Sequence, residues 1–298
     1  MKIGILGPGA IGGLVGSLLS INGHEVIFIG RDQTVNSINC DGLTFKSPIY
    51  GDFLIRPKAY TSVKESLDVI FVTVKGYQLQ NALTHIPDLL EQTILISLLN
   101  GLGHKKVIRN SFAKNVIVGT IGAVEVALGE NRHVIHSSSS KTHIDLASDL
   151  DVPLAKMNMV AEVLQEAGFS VSILNSENEV IWRKLVRLSA ISTMTSIASG
   201  SLGTVRQDPE LNKHMIGVIS ELCSIAKTQN FVIQAEEVMA QIKALPDRLT
   251  TSMQRDIQAG KQSEIEAILG DPIRLGRALG LNLPFMEECY KKLTERIY

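Results

Sequence analysis

The chain has 298 residues, a length that suggests about two domains at roughly 150 residues each. Hydrophobic residues make up 45% and charged residues 20%, and 29 Lys+Arg against 30 Asp+Glu leave a net charge of −1. That balance argues against a globally basic nucleic-acid binder or a protein held to anionic membrane, and 5% aromatic content argues, more weakly, against stacking platforms for single strands or sugars.

Taken in chain order, KIGIL at 2–6 reads as a short buried strand running into Gly7, 10–22 as a helix, and HEVIFI at 24–29 as a second strand. Residues 43–56 are short, β-like and turn-rich, an excursion before the next main strand. The apolar runs DVIFVTV at 68–74, TILISL at 93–98 and NVIVGTI at 115–121 repeat the strand pattern, with helix-like stretches between several of them. This is the pattern of a parallel sheet covered on both faces. Residues 133–138 and 141–147 read as a hairpin turning at the SSSS stretch, and FSVSIL at 169–174 as a last strand. Beyond it every long segment reads as helix, about 208–229, 234–244, 250–269, 271–279 and 285–296 after a first helix toward Ser196 capped by Asn175 or Ser176. The expected division is an α/β domain over 1–175 and an all-α domain over 176–298.

Cys40, Cys223 and Cys289 are far apart and odd in number, with no CxxC pair, so a reducing cytoplasm is the simplest compartment. The N-terminal stretch lacks the long apolar region of a signal peptide, and no apolar run approaches the ~18 residues of a transmembrane helix.

Gly7-Pro8-Gly9-Ala10-Ile11-Gly12 is G-x-G-x-x-G directly after a strand and opening a helix. The first glycine allows the tight turn, the second lets a diphosphate approach the backbone, and the third packs helix on strand, while the helix N-terminus supplies amide donors. A glycine-rich structural turn would use the same residues, but the β-α-β context favours a dinucleotide. An NAD site would end the second strand in Asp or Glu. Here Gly30-Arg31-Asp32 puts a guanidinium there, suited to a 2′-phosphate, so NADPH is expected over NAD, with Asp32 one step late for a ribose. Lys75 and Asn100 follow predicted strands, where open α/β sheets bind ligands, although a solvent-facing lysine and a turn amide would look the same.

These features, with VTVKGYQ around Lys75, LLNGLG around Asn100, WRKL at 182–185 and SMQRDIQAGKQSEIE at 252–266, resemble the ketopantoate (2-dehydropantoate) 2-reductase family over essentially the whole chain. The resemblance implies an NADP-binding Rossmann domain, an all-α C-terminal domain like that of 6-phosphogluconate dehydrogenase, and an active site in the cleft between them. It implies a cytoplasmic NADP-dependent oxidoreductase reducing 2-dehydropantoate to pantoate in pantothenate biosynthesis. Residue by residue, Lys184 matches the catalytic lysine, Glu264 the catalytic-site carboxylate and Ser252 a substrate-binding serine, while Asn100 and Lys75 match the cofactor- and active-site asparagine and lysine. Hydride delivery to a ketone builds negative charge on oxygen, which an ammonium can stabilise and protonate.

The family's pocket asparagines are replaced by Leu188, Ser192 and Leu202, while Thr195 is retained. Two of the three positions become leucine, which can neither donate nor accept, and this argues for changed specificity, because a site built to hydrogen-bond its substrate discriminates strongly. Arg187 can clamp a carboxylate in their place or simply face solvent, the plainer reading. His133, His136 and His143 read as strand-face histidines, and no metal is expected. Two alternatives stand beside the leading one: a reductase of a less polar keto acid or carbonyl compound, and an NADP(H)-binding regulator with little catalysis. Retention of both Lys184 and Glu264 speaks against a regulator. The expected partner is a small 2-oxo acid, neither nucleic acid nor membrane; a homodimer is compatible with such a chain, but nothing in the sequence sets the oligomeric state.

Overall fold

Alternate residues of the apolar runs belong to different cores. Strand β1 (Lys2–Leu6) sends Ile3 and Ile5 into one hydrophobic cluster and Leu6 into another, so a strand buried on both faces needs no polar alternation. A computed structural model describes residues 1–87, 92–112, 114–122, 124–149 and 152–296. The chain divides into two compact units, Met1–Leu99 with His104–Val180, and Asn100–Gly103 with the residues from Ile181 onward.

In the first unit β1 is followed by α1 (Ala10–Ile21), β2 (Glu25–Ile29) and α2 (Asp32–Asp41). The excursion is an antiparallel hairpin of β3 (Leu43–Lys46) and β4 (Phe53–Ile55), after which β5 (Lys58–Tyr60) pairs with β2. Next come β6 (Val69–Val72), α3 (Leu79–Leu83), β7 (Ile94–Ser97), α4 (His104–Ser111), β8 (Val116–Gly122) and β9 (Val126–Leu128). They lead to β10 (Val134–His136), β11 (His143–Ala147), α5 (Leu154–Glu166) and β12 (Ser170–Ile173). Among the described residues the main sheet has eight strands in the order β12-β11-β8-β7-β6-β1-β2-β5, parallel except where β11 meets β8. A second sheet of four runs β4-β3-β10-β9.

Register positions the ligand-binding edge. Leu6 lies opposite both Ile29 and Val72, and Val72 opposite Ser97, so these four strands end level. Gly7, Gly30-Arg31 and Thr73–Lys75 therefore leave the sheet at one edge, on either side of β1, where the strand order reverses. Open α/β sheets bind their ligands at such a point.

The hairpin expected over 133–147 does not form. Its two strands lie in different sheets, β10 beside β3 and β9, and β11 beside β8 and β12. Side chains hold the serine-rich segment as a crossing: the Ser138 hydroxyl accepts from the Glu125 amide at 2.7 Å, and the Thr142 amide donates to the Tyr50 hydroxyl at 2.9 Å.

The second unit is helical, as expected for the C-terminal part. It takes α6 (Glu177–Ala198) from Ile181 on, then α7 (Leu202–Gln207), α8 (Pro209–Thr228), α9 (Ala235–Lys243), α10 (Ser252–Gln258), α11 (Asp271–Ala278) and α12 (Pro284–Thr294). Caps set the ends. Asp208 accepts from the Glu210 and Leu211 amides ahead of α8, with Pro209 in its first turn. At the start of α12 the buried Glu221 of α8 supplies the carboxylate, accepting from the Phe285 and Met286 amides at 2.9 and 2.8 Å.

The single helix expected over 250–269 is broken. Gly260 adopts φ +62°, the Gly260 amide donates to Ile257 O and the Lys261 amide to Asp256 O, a Schellman ending of α10. The chain resumes at Glu266–Gly270 as a π-helical turn that runs into α11. Among the described residues no helix is long and apolar enough to cross a membrane.

Candidate active site

The glycine turn has the shape a diphosphate needs. Gly7 sits at φ +97°, and a Cβ there would come within 2.8 Å of the Val74 backbone nitrogen. A Cβ at Gly12 would strike Gly7 O and the Thr73 hydroxyl, which itself donates to Gly7 O at 2.8 Å. A Cβ at Gly9 would meet nothing closer than Gly7 O at 4.0 Å, so this glycine leaves open space at the start of α1. The first turn of α1, from Ala10 through Ile11, carries no acidic residue and no side-chain cap. Amide donors with positive potential next to such a cradle fit an anionic diphosphate.

Arg31 stands exposed as the residue preceding α2, and among the described residues it is paired with no carboxylate. Lys75 precedes the short turn Gly76–Gln78, whose Gln78 amide donates to the Lys75 carbonyl at 2.9 Å. Arg132, which the sequence pattern did not single out, donates through Nη2 to the carbonyl of Pro8 in the middle of the glycine turn.

Lys184, Asn100 and Glu264 form one hydrogen-bonded chain inside the second unit. The Lys184 ammonium donates to Asn100 Oδ1 at 2.7 Å, and Asn100 Nδ2 donates to Glu264 Oε2 at 3.2 Å. The order is dictated by chemistry, since an ammonium only donates and a carboxylate only accepts. Asn100 thus links the lysine to Glu264, whose side chain is buried.

The local sequence explains how each group is held. In WRKL, Trp182 and Leu185 are buried at 1% and 2% exposure, which leaves Lys184 half-buried on the flank of α6. Gly101, at φ +92°, lies so close to Ala267 that a Cβ would sit 2.9 Å from its carbonyl carbon, and a Cβ at Gly103 would meet Asp271 Oδ2 at 2.9 Å. The two glycines of NGLG therefore let the Asn100 segment lie on the π-helical turn just after Glu264. Ser189, one turn beyond Lys184, donates to Ile268 O in the same turn and ties α6 to it. A π-turn is a frequent device at functional sites because it re-aims backbone carbonyls.

The remaining candidates separate. Ser252 is the first residue of α10, behind the capping Thr251 whose hydroxyl accepts from the Gln254 amide at 3.3 Å. Thr195 is fully buried; its hydroxyl donates back to Ile191 O at 2.8 Å and lies 3.3 Å from the Thr251 hydroxyl. Ser192 is buried, and its hydroxyl has no hydrogen-bond partner among the described residues. Gln254, two residues after Ser252 and not foreseen, likewise has a buried Oε1 without a partner among them. Leu202 is fully buried and Leu188 half-buried; Arg187 reaches Gln241 of α9 at 3.4 Å.

The histidines serve structure. His136 is buried between the Ser47 and Thr142 hydroxyls, and burial holds its pKa below the ordinary value. His143 faces Asp145 at 2.8 Å. Among the described residues no three His, Cys, Asp or Glu side chains gather as a metal ligand set. Burial pushes the Cys223 and Cys289 thiols up to about 11 and about 12, away from thiolate chemistry.

An α/β unit with a glycine turn at its strand-order reversal, joined to a helical unit holding a lysine–amide–carboxylate chain, is the layout of an oxidoreductase. Residues 3–149 match the family model described as ketopantoate reductase PanE/ApbA, and residues 178–296 match that of its C-terminal domain. The chain belongs to the ketopantoate reductase family. It is 30% identical over 290 residues to 2-dehydropantoate 2-reductase of Pyrococcus horikoshii, covering 95% of this chain and 93% of the relative. To the enzyme of the same name from Archaeoglobus fulgidus it is 26% identical over 283 residues, covering 94% and 92%. A solved D-mandelate dehydrogenase, bound to NADH and anilino(oxo)acetate, shares the fold with a TM-score of 0.90 at 22% identity, covering 100% of this chain and 98% of that one.

Proposed function

We propose that the protein is an NADPH-dependent reductase of a small 2-oxo acid, converting 2-dehydropantoate to pantoate in cytoplasmic pantothenate biosynthesis. The observation that carries this reading is the Lys184–Asn100–Glu264 chain in a member of this family. The first unit would hold the cofactor, with Gly7 to Gly12 cradling the diphosphate, Arg31 taking the 2′-phosphate and Lys75 contributing a further cation; Asn100, in the second unit, is the remaining cofactor residue that the family resemblance implies. Bound NADPH supplies the hydride that reaches the ketone carbon. Lys184 stabilises the negative charge that grows on the ketone oxygen and gives that oxygen its proton. Asn100 fixes the lysine's direction by accepting one of its hydrogens, and Glu264 fixes the amide. Ser252 and the Ser192 hydroxyl, which is buried without a partner among the described residues, would donate to or accept from the acid and hydroxyl groups of the substrate.

A second reading is favoured by Leu188 and Leu202, which stand where the resemblance implies asparagines. Leucines would suit an apolar side chain on the keto acid, and the fold neighbour's bound aryl oxo-acid is of that kind. The deciding experiment follows NADPH oxidation by the purified protein with 2-dehydropantoate beside phenylglyoxylate. Higher kcat/KM for 2-dehydropantoate supports the first reading. Preference for phenylglyoxylate by ~10-fold or more, the scale of a lost pair of polar contacts, moves the protein to the second. Binding of NADPH without turnover of either would leave a regulator.

A further inference from the structure

Two guanidinium groups, on segments 101 positions apart in sequence, converge on the glycine turn, and among the described residues neither is ion-paired with a carboxylate. Arg132 donates through Nη2 to Pro8 O. Pro8 in turn packs on Gly30: a Cβ added to Gly30 would lie 2.9 Å from Pro8 Cγ. Arg31 follows Gly30 directly, so Arg132 reaches the glycine turn on its β2 side, the side at which a dinucleotide fold places the adenosine ribose. Neither arginine forms an ion pair among the described residues, and Arg132 Nε is out of solvent with no hydrogen-bond partner there.

The backbone is arranged to deliver Arg132 to this place. The turn between β9 and β10 closes with the Gly129 amide donating to His133 O at 2.8 Å and the His133 amide to Glu130 O at 3.1 Å. Within it Asn131 and Arg132 both take the left-handed conformation, φ +50° and +60°. For an arginine that conformation is unfavourable, and such strain persists only where the surroundings impose it. Below the turn Val134 of β10 fills the space that Gly13 leaves on α1, which seats the small sheet against the helix of the glycine motif. Burial, and next the like charge of Arg31, hold the Arg132 guanidinium below its ordinary pKa. Like charges held together call for an anion.

We infer that Arg132 is a second ligand of the cofactor's 2′-phosphate, forming with Arg31 a two-arginine clamp that selects NADPH over NADH. The inference rests on the reading that the cofactor is NADPH, and the test separates the two. Isothermal titration of the full chain with NADPH and with NADH gives dissociation constants that do not depend on turnover. Arg132→Asn is the variant of choice because asparagine tolerates the left-handed backbone, so the turn is kept while the charge is lost. Arg132→Lys keeps the charge without the fork, and Arg31→Ala is the positive control.

The expected result is that Arg132→Asn weakens NADPH by roughly 10-fold or more, the loss of one charge-assisted contact, and leaves NADH within about 2-fold. Arg132→Lys should fall between the wild type and Arg132→Asn. If the wild type prefers NADPH but Arg132→Asn weakens both cofactors equally, or neither, the inference fails alone, and Arg132 only braces the glycine turn. If the wild type binds NADH as tightly as NADPH, the cofactor reading fails and the clamp with it. Thermal unfolding of both Arg132 variants confirms that the titrated protein is folded.

Discussion

At the scale of single residues the decisive group is the Asn100 amide, since it touches both charged partners. Replacing it by leucine keeps the branched shape, in a somewhat larger side chain, and removes both hydrogen bonds. Asn100→Leu should lower kcat by about 10²-fold, within the range for a misdirected general acid, while KM changes less. It should also cost about 1–3 kcal/mol of stability in urea unfolding, because Glu264 loses a partner while nearly buried. An unchanged kcat would show that the amide does not direct the lysine. Little of this chain can be read from spacing. Lys184 and Asn100 are 84 positions apart and Asn100 and Glu264 are 164 apart. Residue patterns mark neighbours on a strand or helix, and here only resemblance to a family named the lysine and the carboxylate. Arg132, Ser189 and Gln254 escaped both routes, because a lone polar side chain on a turn or helix carries no pattern and is identified only by what it meets.

At the scale of elements, side chains join segments that the backbone leaves separate. Glu177, fully buried at the start of α6, takes an ion pair from Lys105 at 2.6 Å and another from Arg109 of α4, and exchanges backbone contacts with Asp149. Truncating it takes a buried carboxylate from Lys105 and Arg109 and the acceptor from the Asp149 amide, so Glu177→Ala should cost about 3 kcal/mol, at the low end for a broken buried pair because Lys105 keeps Asp149 at 3.2 Å and both cations keep some solvent. Urea unfolding reads this directly, and a loss below about 1 kcal/mol would mean the network is ornamental. His136 gives the second sheet a pH dependence. Its folded pKa lies below the ordinary 6.5, so its stabilising effect is complete above that value and is lost as pH falls through it toward the folded pKa. Between about pH 7.5 and about pH 5.5, His136→Gln should therefore lose less thermal stability than the wild type. Elements themselves were largely legible: periodicity located the main strands and most helices. It failed where side chains or single glycines overrule it. Ser138 and Tyr50 turn an apparent hairpin into a crossing between sheets, and Gly260 ends α10 inside a continuous helical pattern. Gly260 is the signal that could have marked that break, since glycine followed by lysine in QAGK suits a helix C-cap.

At the scale of the whole molecule, composition excluded classes and placement supplied chemistry. A net charge of −1 leaves no global field, yet Arg31, Arg132 and Lys75 belong to the unit with the glycine turn, and Lys184 to the helical one. The fold class was readable because a glycine turn after the first strand and a helical remainder are both strong local patterns. The membership of Asn100–Gly103 in the second unit was not, because it depends on Gly101 and Gly103 meeting Ala267 and Asp271 far along the chain. The most direct measurement is kcat for NADPH-dependent reduction of 2-dehydropantoate by the wild type and by Lys184→Ala. With Lys184 as the proton donor at the ketone oxygen, the variant should lose about 10²- to 10⁴-fold in kcat while NADPH still binds. Turnover by Lys184→Ala within about 3-fold of the wild type, far short of a general acid's contribution, would contradict the assignment.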